Sequence, residues 1–406
     1  MKTKKFNLVG LGARDYYHVA VALKQVDQLG HIITDFYSPN LLRVKFHTRF
    51  HPEIDSSQTI SLPVFYVLQV IARRIFSPEV FRRVQHQWID KFFGFLSGAI
   101  TYFGANRAIV YSYYLEGFTL FYKTIRKRPL ELICFQVHPT SVYICDKLAK
   151  DRNIFQNLYG NVAFLDEPEQ ATDDAQVDSY RVALSYCDQF ICASSASARS
   201  VAMVHPSLPG TVIPYGSKLQ DRVYLKCRGS RAKEKIRLIT VCQLVQRKGL
   251  HWAFYAMRSL TDEIRDRFEW IVVSNVVDNS IKALAPDNVE FRSRLSDDQI
   301  ALTLADADIF VMPSLIEGFG LVYIESLSVG TPIIYTNETG AGDICVSGIH
   351  GFEVGCSDVN QLIDVFNRLA NNPTQLHKMR EDAVELSKRI NWPNFHRLIQ
   401  NTMSVK

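Results

Sequence analysis

The chain has 406 residues, 47% hydrophobic and 21% charged, an ordinary globular composition at a length that favours two or more domains, each with its own core. No uninterrupted apolar run is long enough to span a bilayer, and the basic start, Met1 to Lys5, enters a strand-like segment at once with no signal-peptide cleavage pattern after it. The net charge of +5 divides into +10 on residues 1–150 and −5 on the rest, which argues for an anionic partner on the N-terminal half; no nucleic-acid recognition motif accompanies it, so an anionic membrane or a phosphate-bearing acceptor fits better.

Strand-like apolar runs alternate with helical patterns, which predicts α/β architecture. The first unit is a strand over residues 6–10, a helical run to Leu29, and a strand over 30–35. Its turn, Gly10-Leu-Gly-Ala-Arg-Asp15, falls short of the dinucleotide pattern G-x-G-x-x-G, because Asp15 stands in the third glycine's place. Residues 56–106 break the rhythm. Aromatic and apolar positions interleave there with Arg73, Arg74, Arg82, Arg83 and Lys91. Such helices either lie on an anionic membrane surface or fill and cover the domain core. Strands over 108–112 and 131–137 follow, and the second leads into His138. A histidine just past a buried strand sits at the crevice edge of an open sheet, where such folds bind ligands. Strands over 189–193 and 211–214 close the first half, and the polar, basic stretch 216–235 reads as a linker.

The second half restarts the pattern, with strands over 237–241, 270–274, 289–291, 309–313, 332–335 and 351–354, and an amphipathic helix over 392–403. Two of its loops carry chemistry. The turn Val241-Cys-Gln-Leu-Val-Gln-Arg-Lys-Gly249 places cations between a strand and a helix. The segment Ser314-Leu-Ile-Glu-Gly-Phe-Gly-Leu-Val-Tyr-Ile-Glu325 joins a buried strand to a helix through two glycines. Unpaired amides and the helix dipole make that junction an anion site. From Gly320 to Glu325 a helix rises about 7.5 Å, a span that suits diphosphate at the loop and ribose at Glu325. Asp306-Ala-Asp308 spells the D-x-D of metal-dependent transferases, but it precedes its strand, so no metal is expected there. The eight cysteines include no C-x-x-C pair and mostly lie in apolar segments, as reduced thiols do, which points to the cytoplasm.

The spacing Glu317-x7-Glu325 around Gly318-Phe319-Gly320 resembles the signature of the GT-B glycosyltransferases of family GT4 (glycosyl transferases group 1), retaining sugar-nucleotide enzymes. Residues 241–249 resemble that family's Gly-Arg-Leu-x-x-x-Lys-Gly turn: Lys248 and Gly249 match, while Cys242 replaces the usual glycine and Gln243 the usual arginine. Whether Arg247 supplies the missing charge is open on sequence grounds. Val212-Ile-Pro-Tyr-Gly216 and Ser328-Val-Gly-Thr-Pro-Ile-Ile334 add smaller matches. The resemblance covers residues 187–395 well and 40–130 only in layout.

The resemblance implies two Rossmann-like domains facing across a cleft. Residues 1–216 would hold the acceptor, 217–388 the nucleotide sugar, and 389–406 a helix packing back on the first domain. It implies Glu317, Lys248 and His138 as catalytic residues, with Gly12, Gln243, Lys248, Gly318, Phe319, Gly320, Leu321 and Glu325 around the donor. Asp15, Tyr16 and Tyr17 would border the acceptor. The expected activity is metal-independent, retaining transfer of a sugar from an NDP-sugar to a glycan, lipid-linked or small-molecule acceptor. The NDP-sugar is a co-substrate, so no cofactor is expected. A cytoplasmic protein results, peripheral at the inner face of the membrane where the acceptor is lipid-linked. A sugar-nucleotide epimerase, a phosphorylase and a catalytically weak partner subunit are the rivals. The sequence shows no cofactor lysine for the phosphorylase, and Gln243 is the argument for the partner subunit.

Overall fold

A computed structural model describes residues 5–12, 15–38, 49–124, 129–160, 162, 164, 174–217, 235–293 and 295–404. The linker expected at 216–235 falls almost wholly outside them, as do Ala13, Arg14 and the Arg82 side chain.

Two parallel sheets account for the strands. The first holds β1 (Phe6–Val9), β2 (Leu29–Thr34), β3 (Thr59–Ser61), β4 (Arg107–Tyr111), β5 (Glu131–Gln136), β6 (Gln189–Cys192) and β7 (Gly210–Val212), in the order β3-β2-β1-β4-β5-β6-β7. The second holds β8 (Ile236–Val241), β9 (Phe268–Val273), β10 (Val289–Arg292), β11 (Ile309–Val311), β12 (Ile333–Tyr335) and β13 (Gly351–Glu353), in the order β10-β9-β8-β11-β12-β13. Strands such as Ile236-Arg-Leu-Ile-Thr-Val241 are near-continuous apolar runs because helices cover both faces of a parallel sheet. In each sheet the order reverses beside the first strand, at β1/β4 and at β8/β11. Loops diverge at such switch points and leave a crevice beyond the carboxyl ends of the strands.

β3 is absent from the sequence reading, and the first helix, His18–Gln25, is shorter than the run to Leu29 suggests. The irregular stretch 56–106 resolves into helices Pro63–Ile75, Pro78–Val84 and Lys91–Gly104, with a π-helical turn at Gln85–Asp90. Its aromatics divide between core and surface. Phe65 and Phe93 are core residues, packed edge to face at 5.3 Å, whereas Trp88 and Phe92 are exposed.

Two helices cross between the halves. The helix Trp392–Ser404 returns to the first sheet. Trp392 stacks on His18 at 3.8 Å, Gln400 Nε2 donates to the Ala22 carbonyl at 3.1 Å, and Ile399 and Met403 join the first core. In the opposite sense, the helix Ser141–Tyr159 leaves β5 and buries Ile144, Leu148 and Phe155 in the second core. Its Asp151 is riveted there. The carboxylate accepts from Trp252 Nε1 (2.6 Å), Gln246 Nε2 (2.9 Å) and Ser357 Oγ (2.6 Å) and meets His251 Nε2 at 3.0 Å. A buried carboxylate needs this many partners to offset its lost hydration.

Candidate active site

The cationic turn follows β8. A 3₁₀ turn, Gln246–Lys248, ends at Gly249, whose φ of +70° is left-handed. A side chain at Gly249 would also overlap the Pro313 carbonyl, so glycine is required twice over. This close approach lets Leu315 N donate to the Arg247 carbonyl at 2.9 Å, joining the loops that follow β8 and β11. The side chains of Arg247 and Lys248 turn inward as a result. Arg247 Nη1 donates to Glu317 Oε1 at 2.6 Å, and Lys248 Nζ bonds the same oxygen. Burial alone would raise the Glu317 carboxyl, but Lys248 and then Arg247 outweigh it and hold the group at about 2.

The glycine loop presses against the first sheet. A Cβ on Gly318 would lie 2.7 Å from the Val137 carbonyl and 3.4 Å from His138 Cδ2. The Gly318 carbonyl accepts from Ser194 Oγ (2.5 Å) and Ser197 Oγ (3.3 Å), at the start of the helix that follows β6. Glu338 supports the loop from behind. Its carbonyl accepts from Glu317 N at 2.9 Å, while its carboxylate takes Lys147 (2.9 Å), Arg199 (3.1 Å) and the Tyr143 hydroxyl (3.1 Å) from the first half. Gly320, with φ +84°, caps the helix Leu321–Ser328 with no side-chain hydrogen bond to its first amides, the kind of helix start that can take an anion.

His138 therefore faces Glu317, Arg247 and Lys248 across the cleft. Burial, then the charge of Arg247, lowers its imidazole to about 4, with Lys248 adding to the same effect, so it is neutral at physiological pH. Burial, and then the charge of Glu325, raises the Tyr16 phenol. At the first switch point Gly12, φ +69°, donates its amide to Asp35 Oδ1 at 3.0 Å. Arg49 Nη1 pairs with that oxygen at 2.7 Å and covers the turn.

Several expected site residues sit elsewhere. Asp15 is buried, and both its oxygens are occupied, by Val19 N at 2.6 Å and the Tyr111 hydroxyl at 2.7 Å. It holds the start of the helix His18–Gln25 rather than an acceptor. Tyr17 is buried against Tyr37, with ring centroids 5.3 Å apart. Only Tyr16 of that trio is partly exposed. The Phe319 ring packs into the first core, edge-on to Tyr215 at 5.5 Å, so only its backbone faces the cleft, and Leu321 is half-buried against the same core. Gln243 is exposed, and the inward cations of its turn are Arg247 and Lys248. Asp306 pairs with Arg237, and Asp308 Oδ2 accepts from Arg237 N at 2.8 Å. The D-x-D carboxylates are thus tied down at the amino end of β11. Sequence reasoning passed over Glu338, Lys147, Arg199 and Ser197; their link to the site is tertiary, and no local motif announces it.

Residues 227–386 match the profile of the family Glycosyl transferases group 1. Over 211 residues the chain is 30% identical to MMP alpha-(1->4)-mannosyltransferase of Mycolicibacterium hassiacum, covering 49% of this chain and 50% of that one. Over 141 residues it is 34% identical to the GDP-mannose-dependent monoacylated alpha-(1-6)-phosphatidylinositol monomannoside mannosyltransferase of Corynebacterium glutamicum, covering 32% and 37%. The alignments thus span half or less of these relatives. Among solved structures, Anabaena HepE in complex with UDP and glucose superposes with a TM-score of 0.60 at 15% identity, over 99% of this chain and all of that one. The fold is that of the GT-B transferases, two Rossmann-like domains with a returning C-terminal helix.

Proposed function

We propose that this chain, whose C-terminal half belongs to the glycosyl transferases group 1 family, transfers a sugar from an NDP-sugar to an acceptor hydroxyl with retention of configuration. The observation that carries the reading is the pair of inward cations, Arg247 and Lys248, beside the N-terminus of the helix Leu321–Ser328, facing His138 across the cleft. Breaking the sugar–phosphate bond builds negative charge on the leaving diphosphate. Preorganised cations and amides at that point stabilise it most where water is excluded. Glu317 holds the donor sugar's hydroxyls and Glu325 the ribose. The neutral His138 imidazole faces the sugar from the first domain, and Gly12 lies near the donor on the same side. The acceptor attacks from the face the phosphate leaves, and a phosphate oxygen takes its proton. Neither a metal nor a cofactor enters this scheme.

The acceptor belongs to the N-terminal half. A relative that acts on a phosphatidylinositol mannoside, together with the +10 charge of residues 1–150, supports a lipid-linked glycan taken up at the cytoplasmic face of a membrane. No helix among the described residues is long and apolar enough to cross one. The inward Arg247 weakens the case for a catalytically weak partner subunit, because that case rested on Gln243. Incubation with a panel of NDP-sugars, following slow NDP release, tests the reading. Turnover with one donor supports it, and tight nucleotide binding without turnover across the panel and with added acceptors overturns it.

A further inference from the structure

The helix Pro63–Ile75 turns an apolar stripe to solvent. Val64, Val67, Leu68, Ile71 and Ile75 recur at helical spacing and are all exposed, Ile75 by 68%. Phe65, Gln69 and Ala72 form the buried face. A surface helix ordinarily shows the reverse pattern, polar outward, and an apolar patch of this kind marks an interaction site. The exposed apolar surface continues along the excursion in Phe76, Val80, Trp88 and Phe92, with Trp88 exposed by 71%. Phe92 lies 5.6 Å from Phe65, so the helices pack as one unit.

The charge around this stripe is one-sided. From residue 63 to 104 the sequence holds five Lys and Arg against two Asp and Glu, and one of the two acids, Asp90, is buried. Arg73 and Arg74 sit in the last turn of the helix Pro63–Ile75, with Arg73 5.2 Å over the Phe81 ring, and Arg83 is exposed. An apolar face with an aromatic anchor and flanking cations suits the interface of an anionic bilayer.

The same excursion borders the cleft at two places. Tyr66, on the helix of the stripe, has the Arg49 guanidinium 5.6 Å from its ring, and Arg49 covers the Gly12 turn. His86 and Lys91 line a cavity together with Glu116, Tyr113, Gln136, Tyr180 and His138. We infer that the excursion of residues 63–104 seats the protein on an anionic bilayer, so that the polar headgroup of a membrane-borne acceptor enters this cavity and reaches His138 while its chains stay in the lipid. The inference rests on the transferase reading for the place of the acceptor, and on the exposed stripe alone for the bilayer.

The four tryptophans make a direct test available. Trp252, Trp270 and Trp392 are buried, so Trp88 alone reports on the surface. Phosphatidylglycerol vesicles at low salt should blue-shift the tryptophan emission and sediment the protein. Phosphatidylcholine vesicles should do neither, and added salt should weaken the binding. The double variant Ile71→Ser/Trp88→Ser should bind phosphatidylglycerol about tenfold more weakly or worse. Arg73→Glu/Arg74→Glu, which alters only exposed positions, should do likewise. Both should keep the thermal shift that the cognate nucleotide, found by screening UDP, GDP and ADP, gives the parent protein. Loss of that shift in the parent would count against the transferase reading and leave the vesicle result standing. Failure to bind phosphatidylglycerol at low salt would overturn the bilayer. Equal, salt-independent binding to both lipids would overturn its anionic character. A dimer that the Ile71/Trp88 variant dissociates, in a protein that ignores vesicles, would make a second copy of this chain the occupant.

Discussion

Arg247 Nη1 lies 2.6 Å from Glu317 Oε1, so the residue beside the matching lysine, rather than the one at the family's arginine position, brings the second positive charge into the cleft. The consequence is electrostatic. One carboxylate faces two cations, and a diphosphate arriving there meets a surplus of positive charge.

Removing either cation should weaken nucleotide binding. Lys248→Ala and Arg247→Ala should each cost about 1–3 kcal/mol in affinity for the cognate NDP, the scale of a lost charge-assisted hydrogen bond. Gln243→Arg should change little, because the guanidinium is already supplied. Titration calorimetry on the three variants decides the matter. Unchanged affinity in both alanine variants would move the diphosphate elsewhere.

Stability should fall in acid in two separable windows. His138 is held at about 4 against an ordinary 6.5. A depressed histidine contributes stability that is complete above 6.5 and is lost as pH falls from 6.5 towards 4. Glu317, held at about 2 against 4.5, contributes stability that is complete above 4.5 and is lost as pH falls from 4.5 towards 2. Melting temperature against pH should therefore lose part of the upper decline in His138→Gln and part of the lower one in Glu317→Gln. Curves parallel to that of the parent protein would refute the assignment.

Gly318→Ala tests the contact between the loop and the first sheet. A methyl group 2.7 Å from the Val137 carbonyl forces the loop back and separates Glu317 from His138. Transfer should drop roughly tenfold or more, while affinity for free NDP changes much less, since Arg247 and Lys248 stay in place. Steady-state kinetics alongside calorimetry separates the two quantities.

Transfer should survive saturating EDTA. The carboxylates of Asp306 and Asp308 hold Arg237 at the end of β11 away from the cleft, and in the proposed reaction Arg247 and Lys248 would take the charge of the leaving group. Activity that vanishes with EDTA and returns with manganese or magnesium would show that a divalent ion is needed after all.

The strands were legible because residues such as 132–135 form an apolar run and 236–241 a nearly continuous one, as strands covered on both faces do. Thr59-Ile-Ser61 was not legible. It is a three-residue, half-exposed edge strand whose alternation is too short to register. The place of His138 was legible from the strand it follows, whereas Lys248 and Glu317 were singled out by the resemblance of their loops to the family's turn and Glu-x7-Glu motif. The inward turn of Arg247 was not legible, because it follows from Gly249 packing against Pro313, a contact between distant segments. Asp15 and Tyr17 misled for the converse reason: a polar group beside a glycine turn looks available, and only the partners Val19 and Tyr111 show Asp15 to be spent.

The reciprocal crossing of two helices bears on how the chain is assembled during synthesis. The helix Ser141–Tyr159 emerges well before the strands that will cover Ile144, Leu148 and Phe155, and Asp151 waits equally long for Gln246, His251 and Trp252. The first core, in turn, lacks Trp392, Phe395 and Ile399 until the last described helix has been made. Neither half can complete its interior on its own. Translation should therefore release a chain whose halves acquire protease resistance together rather than in sequence, and the family-matched segment expressed alone should be poorly soluble.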